Sequence, residues 1–194
     1  ACIMKRGLDA IVTPVESNIG ETTFLKIIVP GTEGKTLGGS APTLGIIGSL
    51  GGIGARPSKI GLVSDADGAI CAIACCLKLA DMRARGDLLK GDVVICTHIC
   101  PDAPMKANDP VPFMGSVVGV DIMNEYQVDA SMDAILSIDT TKGNKILNRR
   151  GIAISPTVKE GWILPVSRDL LDIMEIVMGE PPVVLPLSTL DITP

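Results

Sequence analysis

Aromatic residues are nearly absent from this chain of 194 residues: one Trp, one Tyr and two Phe make up 2% of it. Platforms on which exposed bases could stack are therefore scarce. Positive charge is short as well, with 17 Lys and Arg against 22 Asp and Glu for a net charge of -5, so no basic footprint exists for a phosphate backbone. Both shortages exclude nucleic acid as a partner. Long apolar runs are missing too. Although 46% of the residues are hydrophobic and the mean hydropathy is +0.41, Gly, Pro or a charge interrupts every run before the ~18 positions a membrane helix needs. No membrane association is expected. Histidine occurs once, at His98.

What is plentiful is aliphatic surface. Set against 20% charged residues, it exceeds what one core uses, and the expectation is a homo-oligomer that buries the surplus between subunits. The length corresponds to a single α/β domain over residues 1–194, at ~100–200 residues per domain. The chain starts at Ala1 and stops at Pro194 in mid-pattern, which reads as a polypeptide incomplete at one or both ends, with a second processed chain as a further partner. Six Cys at 2, 71, 75, 76, 96 and 100 sit inside apolar segments. That clustering points to reduced thiols in a cytoplasm rather than to a disulfide framework.

The apolar run Phe24–Val29 reads as a buried strand ending at the Pro30, Gly31 turn. From Gly31 to Gly54 glycines break up short aliphatic runs such as Leu44–Ile47. No phosphate-loop spacing is met there, and turns with close backbone packing are expected. Lys59–Val63 is a short strand, followed by an apolar helix from Ala69 to about Arg85 that should be buried on most sides. Val93–Ile99 is the next strand. Strand, helix and strand in about forty residues make a crossover unit of a sheet with parallel pairs. Ala134–Ile138, Gly151–Ser155, Gly161–Val166 and Val183–Leu187 read as further strands, and Ser167–Met178 as a helix capped by Ser167.

Open α/β sheets place ligands at the carboxyl ends of parallel strands, and carboxylates arrive there. Asp65 ends one strand, Asp102 lies just past the next, Asp139 ends a third, and His98 sits near the end of the second. Carboxylates with one imidazole could hold a divalent metal, with zinc, manganese and cobalt all chemically suitable. An Asp after a strand is also a common turn or cap residue. His98 has two readings, a base or ligand on one side and a buried imidazole bonded to a backbone carbonyl on the other. In a regular strand it faces away from Pro101 and reaches the site only through a bulge. Cys71, Cys75, Cys76, Cys96 and Cys100 read as buried packing residues. A Cys nucleophile with His98 as its base is the minor alternative.

The order Gly61, Leu62, Val63, Ser64, Asp65, Ala66, Asp67, Gly68, then Ala72, Ile73, Leu77 and Leu79, resembles the segment around the bridging aspartate of co-catalytic zinc metallopeptidases. These are the carboxypeptidase and aminoacylase group, with the tetrahedral aminopeptidases that share its core. The strand from Gly91 to Cys100 and the segment Asp133–Asp139 match later parts of the same pattern. The likeness covers about Gly31–Pro194, and the runs Gly38–Ile60 and Ile152–Gly161 also resemble an uncharacterised prokaryotic family of unknown function. What the peptidase resemblance implies is a bridging role for Asp65, a ligand role for Asp139 and for Asp102, and a turn-shaping role for Asp67. Two departures stand out. The group's first His-x-Asp pair would fall near Ser40–Gly45, where no imidazole or carboxylate is present, and its general-base Glu is replaced by Pro101.

The resulting expectation is a three-layer zinc-peptidase-like α/β domain with a mixed, largely parallel sheet. Its activity is that of a metal-dependent hydrolase of amide bonds in small peptides or acylated amino acids. Asp65, Asp139 and Asp102 hold a divalent ion, zinc first and manganese or cobalt next, and Asp102 or His98 takes the proton. The alternative is a non-catalytic metallopeptidase relative that binds a small molecule or assembles into an oligomer.

Overall fold

Phe24–Val29 is apolar enough to be buried on both faces, and in the computed structural model it forms one end of a longer strand. The structure describes residues 2–49, 66–101, 103–106, 113–139 and 149–186. It divides the chain into two compact units, Ala1–Thr140 and Thr141–Pro194.

In the first unit a short 3-10 turn, Met4–Arg6, precedes β1 (Ala10–Ser17) and β2 (Gly20–Val29). The two strands pair antiparallel, with Ala10 opposite Ile27 and Ser17 opposite Gly20. The sequence-based expectation begins its first strand at Phe24 and misses β1. Pro14 hides it, because proline cannot donate to a ladder and is tolerated only where one side of the strand is free. β1 is such an edge strand.

There follow β3 (Leu44–Gly48), α1 (Asp67–Ala84), β4 (Val93–Ile99), the short antiparallel pair β5 (Met105–Lys106) and β6 (Phe113–Met114), α2 (Val120–Gln127) and β7 (Ala134–Ile138). The main sheet runs in the order β1-β2-β4-β3-β7. β4 is antiparallel to β2 and parallel to β3, and β3 is parallel to β7. The sheet is thus mixed, with parallel pairs on the β7 side and antiparallel pairs on the β1 side. β3 lies in the parallel half although its glycines read as turns. The strand expected at Lys59–Val63 lies outside the described residues.

Alternation along β4 feeds two cores. Val93 and Ile95, with Ile27, Val29 and Ile46, pack on Ala72, Cys76 and Ala80 of α1. Val94 and Cys96 point the other way, with Ile47, and next to them Phe24 packs with Val117, Val118, Met123 and Tyr126 at α2. Helices therefore cover both faces, which is the three-layer architecture. Ile27 and Ile95 are fully buried, each contributing about 2 kcal/mol by the apolar area removed from water. Only one stripe of α1 is buried, Gly68, Ala69, Ala72, Cys76 and Ala80. The expectation that it is enclosed on most sides is corrected: Ile70 is 46% exposed and Cys71 is exposed, because an outer-layer helix has one neighbour, the sheet.

Within the second unit, β8 (Thr157–Lys159) and β9 (Trp162–Leu164) form a hairpin. Its turn residues Glu160 and Gly161 have φ of 51° and 85°, the left-handed pair that matches strand twist. The strands expected at Gly151–Ser155 and from Val183 reduce to one parallel bridge, Ile154 with Val184. α3 (Arg168–Met178) follows Ser167, whose hydroxyl makes no capping bond. Arg149 pairs with Glu180. Among the described residues no helix is long and apolar enough to cross a membrane.

The amino end of β4 is organised by Asp92, which is 2% exposed. Its carboxylate accepts hydrogen bonds from the Gly31 amide at 2.8 Å, the Thr36 amide at 2.8 Å and the Thr36 hydroxyl at 2.9 Å. Burial by itself would raise its pKa, but these donors, with Lys35 nearby, hold it below the ordinary carboxylate value. The loop after β2 is thereby tied to the start of β4. Replacing Asp92 with Ala leaves those buried donors without an acceptor and should cost about 3 kcal/mol, read as a lower denaturation midpoint. A carboxylate whose folded pKa is depressed contributes its stability above the unfolded value near 3.9 and loses it as pH falls through the lower folded value. The wild type should therefore weaken in acid below about pH 4, more steeply than Asp92→Asn.

Candidate functional site

The parallel strands β3, β4 and β7 end at a common edge. There the Thr97 hydroxyl donates to the Gly48 carbonyl at 3.0 Å, the Ser49 amide donates to the Ile138 carbonyl at 2.8 Å, and the Ser49 and Ser137 hydroxyls lie 3.1 Å apart. The first turn of α1 is pressed onto the same place. A Cβ at Gly68 would stand 2.2 Å from the Ser49 carbonyl oxygen and 2.5 Å from that of Ile138, and one at Gly48 would stand 2.3 Å from the Gly68 carbonyl oxygen. Only glycine permits this approach. Crossovers leave the edge on opposite faces, α1 from β3 to β4 and α2 from β4 to β7, so the crevice of a switch point lies between β3 and β4.

Asp139 follows β7 directly and is exposed at this edge. Asp65 stands two residues before α1, and Asp102 three residues after β4; both lie outside the described residues. Asp67 opens α1 as its first-turn acid, the place a turn-shaping residue takes. Among the described residues no group of three or more His, Cys, Asp or Glu could hold a metal. The placement of the missing His-x-Asp pair at Ser40–Gly45 is corrected by the topology. Ser40–Thr43 precede β3, at the opposite end of the sheet from Asp139, with the Thr43 amide bonded to the Asp133 carboxylate at 2.7 Å. A ligand from β3 would have to follow Gly48, where the chain has Ser49.

His98 belongs to the interior. It is 2% exposed and stands opposite Phe24 in an unbroken β2–β4 register, so no bulge turns it. Its Nδ1 lies 2.9 Å from the Gln127 side-chain amide, its ring is 5.6 Å from that of Phe24, and Phe24 stacks on Tyr126 at 4.8 Å. Of the two readings of the sequence, the buried imidazole is the one this placement supports; one of its partners is Gln127, on a helix whose few inward residues, Met123, Tyr126 and Gln127, give too short a period to read. Burial lowers the imidazole pKa. The neighbouring thiol alternative also weakens: Cys96 is fully buried, and burial, only partly offset by Lys26, pushes its pKa up to about 11. A nucleophilic thiol needs the opposite shift.

Fold and edge together define a three-layer α/β domain with an exposed carboxylate, Asp139, where such sheets bind ligands. The chain belongs to the DUF1177 family, described as proteins of unknown function, whose pattern matches residues 13–194. No curated protein matches its sequence. Among solved structures the fold is similar to the bottromycin maturation enzyme BotP in complex with Mn, at a TM-score of 0.55 and 16% identity over 97% of this chain and 47% of that one. The chain spans about half the length of that solved chain. At this identity the likeness is one of fold.

Because His98 is the chain's single histidine, its titration can be followed without assignment. Its imidazole signal in proton NMR should show a midpoint below 6.5. As pH falls through about 6.5 the unfolded chain takes up a proton that the folded chain does not, so stability is full above that pH and declines below it. The decline should vanish in His98→Asn, and a folded midpoint at or above 6.5 would contradict the packed, neutral imidazole.

Proposed function

We propose that this protein is a metal-dependent hydrolase of amide bonds in small peptides or acylated amino acids, with its ion held by Asp65, Asp102 and Asp139. The observation that carries the reading is the seating of α1. Its first turn lies against the Ser49 and Ile138 carbonyls, so the start of α1 meets the end of β7, which Asp139 follows, and Asp65 is two residues before α1 in sequence. Asp102 follows the strand next to β3 in the same direction. The fold's likeness to an enzyme solved with Mn supports the reading.

The donor set shapes the choice of ion. Three carboxylates are hard oxygen ligands, which suit manganese better than zinc, whose sites draw on imidazole and thiolate. When bound, such an ion polarises a substrate carbonyl and acidifies water. The chain's own groups then have limited parts to play. Pro101 cannot accept a proton, His98 is engaged with Gln127, and Asp102 is the carboxylate left for proton transfer if two others suffice to hold the ion. Ser49 and Ser137 offer hydroxyls to a substrate at the edge.

A second reading is a non-catalytic relative that binds a small molecule or assembles. It is favoured by the burial of the one imidazole and by the absence of a three-ligand group among the described residues.

Elemental analysis by plasma mass spectrometry separates the two readings. Protein offered Mn, then freed of loosely held ions, should keep about one equivalent per chain. Asp139→Asn and Asp65→Asn should each weaken retention by about 100-fold or more and abolish hydrolysis of a dipeptide panel. Retention of no Mn, Zn or Co by the wild type would sink the hydrolase reading and leave the second one standing.

A further inference from the structure

Cys71 and Cys75 stand one turn apart on α1, with Cys75 packed against the core that holds Ala72, Cys76 and Ala80 and Cys71 one turn earlier, in solvent. Cys71 is exposed and Cys75 is half-buried, and both are free thiols. Residues four apart on a helix hold their Cβ atoms ~5–6 Å from each other. A disulfide needs ~3.5–4.5 Å between Cβ atoms, so the intact helix keeps this pair too wide for a sulfur–sulfur bond. An ion between the sulfurs closes the gap, since two metal–sulfur bonds of ~2.3 Å span ~4.6 Å.

The surroundings decide which ion. Among the described residues no third His, Cys, Asp or Glu joins the pair to make a metal-holding group, so the four-ligand shell of structural zinc is not available. Thiolate donors select soft ions, and among these a monovalent ion content with two ligands fits the pair. We propose that Cys71 and Cys75 form a two-thiolate site for copper(I) on the flank of α1, where its buried stripe meets solvent. The site differs from the carboxylate edge in chemistry, sulfur here and oxygen there. Binding replaces two S–H bonds with two Cu–S bonds and releases two protons, with no change in oxidation state. Burial, with the Cys71 thiol next to it, raises the pKa of Cys75, so protons compete for the site and it tightens as pH rises.

The remaining thiols supply the control. Cys76, Cys96 and Cys100 are buried, whereas Cys2 is exposed, with its sulfur 3.0 Å from the Arg6 guanidinium. Under anaerobic conditions the folded protein should be titrated with copper(I) held by a chromophoric chelator, with transfer followed by loss of chelator colour. Wild type and Cys2→Ser should each take up one equivalent, and Cys71→Ser and Cys75→Ser should bind about 100-fold more weakly. Bound copper should also shield Cys71 from a mild alkylating reagent. Cys71→Ser alters an exposed side chain, and its unchanged thermal midpoint would show that lost binding is not lost folding. No uptake by the wild type, wild-type uptake by Cys71→Ser, or a loss in Cys2→Ser would overturn the proposal.

Discussion

The contact on which the candidate site depends is a backbone contact. Helix α1 can reach the end of the sheet only because Gly48 and Gly68 present no Cβ where helix and strand meet, with the Ser49 and Ile138 carbonyls little more than 2 Å from where a side chain at Gly68 would begin. A larger residue at either position pushes the helix outward and separates the segment bearing Asp65 from the end of β7. Glycine in a strand or a first helical turn ordinarily weakens the element by roughly 0.5–1 kcal/mol. Here that cost is offset by packing, since the small stripe of Ala69, Ala72, Cys76 and Ala80 continues the close approach down the helix. The same contact explains why α1 leaves Ile70 and Cys71 in solvent: a helix fixed so tightly by one face has its opposite face set by default.

The two ends of the sheet are built differently. At the amino end of β4, Asp92 is buried with its hydrogen bonds met by Gly31 and Thr36, and Lys26 is bound to Asp129, whose pKa falls through that bond and through donors at Ser131. Such satisfied carboxylates hold structure and leave little over for a ligand. At the carboxyl edge the polar groups are hydroxyls and an exposed carboxylate, Ser49, Ser137 and Asp139, borne by adjacent strands. The buried, bonded carboxylate Asp92 and the exposed polar groups thus lie at opposite ends of one sheet, and the exposed ones are at the end where open α/β folds bind ligands.

Legibility in the sequence followed the same physics. β4 was readable to the residue because a continuous apolar run between turn signals has one explanation in a doubly covered sheet; β7 was readable from a similar run, although it is the exposed edge strand. α1 was readable because its eighteen residues outlast any strand. β1 was not, since Pro14 and the polar Thr13, Glu16 and Ser17 suit an edge that buries little. β3 was not, because the glycines that allow α1 to approach are the residues that signal turns. α2 was missed because eight residues show barely two turns of period. For the site, the place of Asp139 directly after a strand is legible from local order, and His98 narrows to two readings that the register separates. Placing the missing ligand pair before β3 failed because sequence order does not say which end of a strand faces the site.

That last point bears on the ion itself. Because β3, β4 and β7 run in parallel, the strands themselves bring to Asp139 the segments that follow β3 and β4. Between β3 and α1 the only His, Cys, Asp or Glu is Asp65, and directly after β4 the first beyond buried Cys100 is Asp102. The donors proposed on these segments are therefore carboxylates, while the imidazole that would draw zinc stands two strands from β7, beside Gln127 and Phe24. Zinc gains much of its selectivity from nitrogen and sulfur, and an all-oxygen set surrenders it. Were Asp65, Asp102 and Asp139 to hold an ion as proposed, an all-carboxylate set with the one histidine kept in the interior would favour a harder ion than the zinc the sequence first suggests.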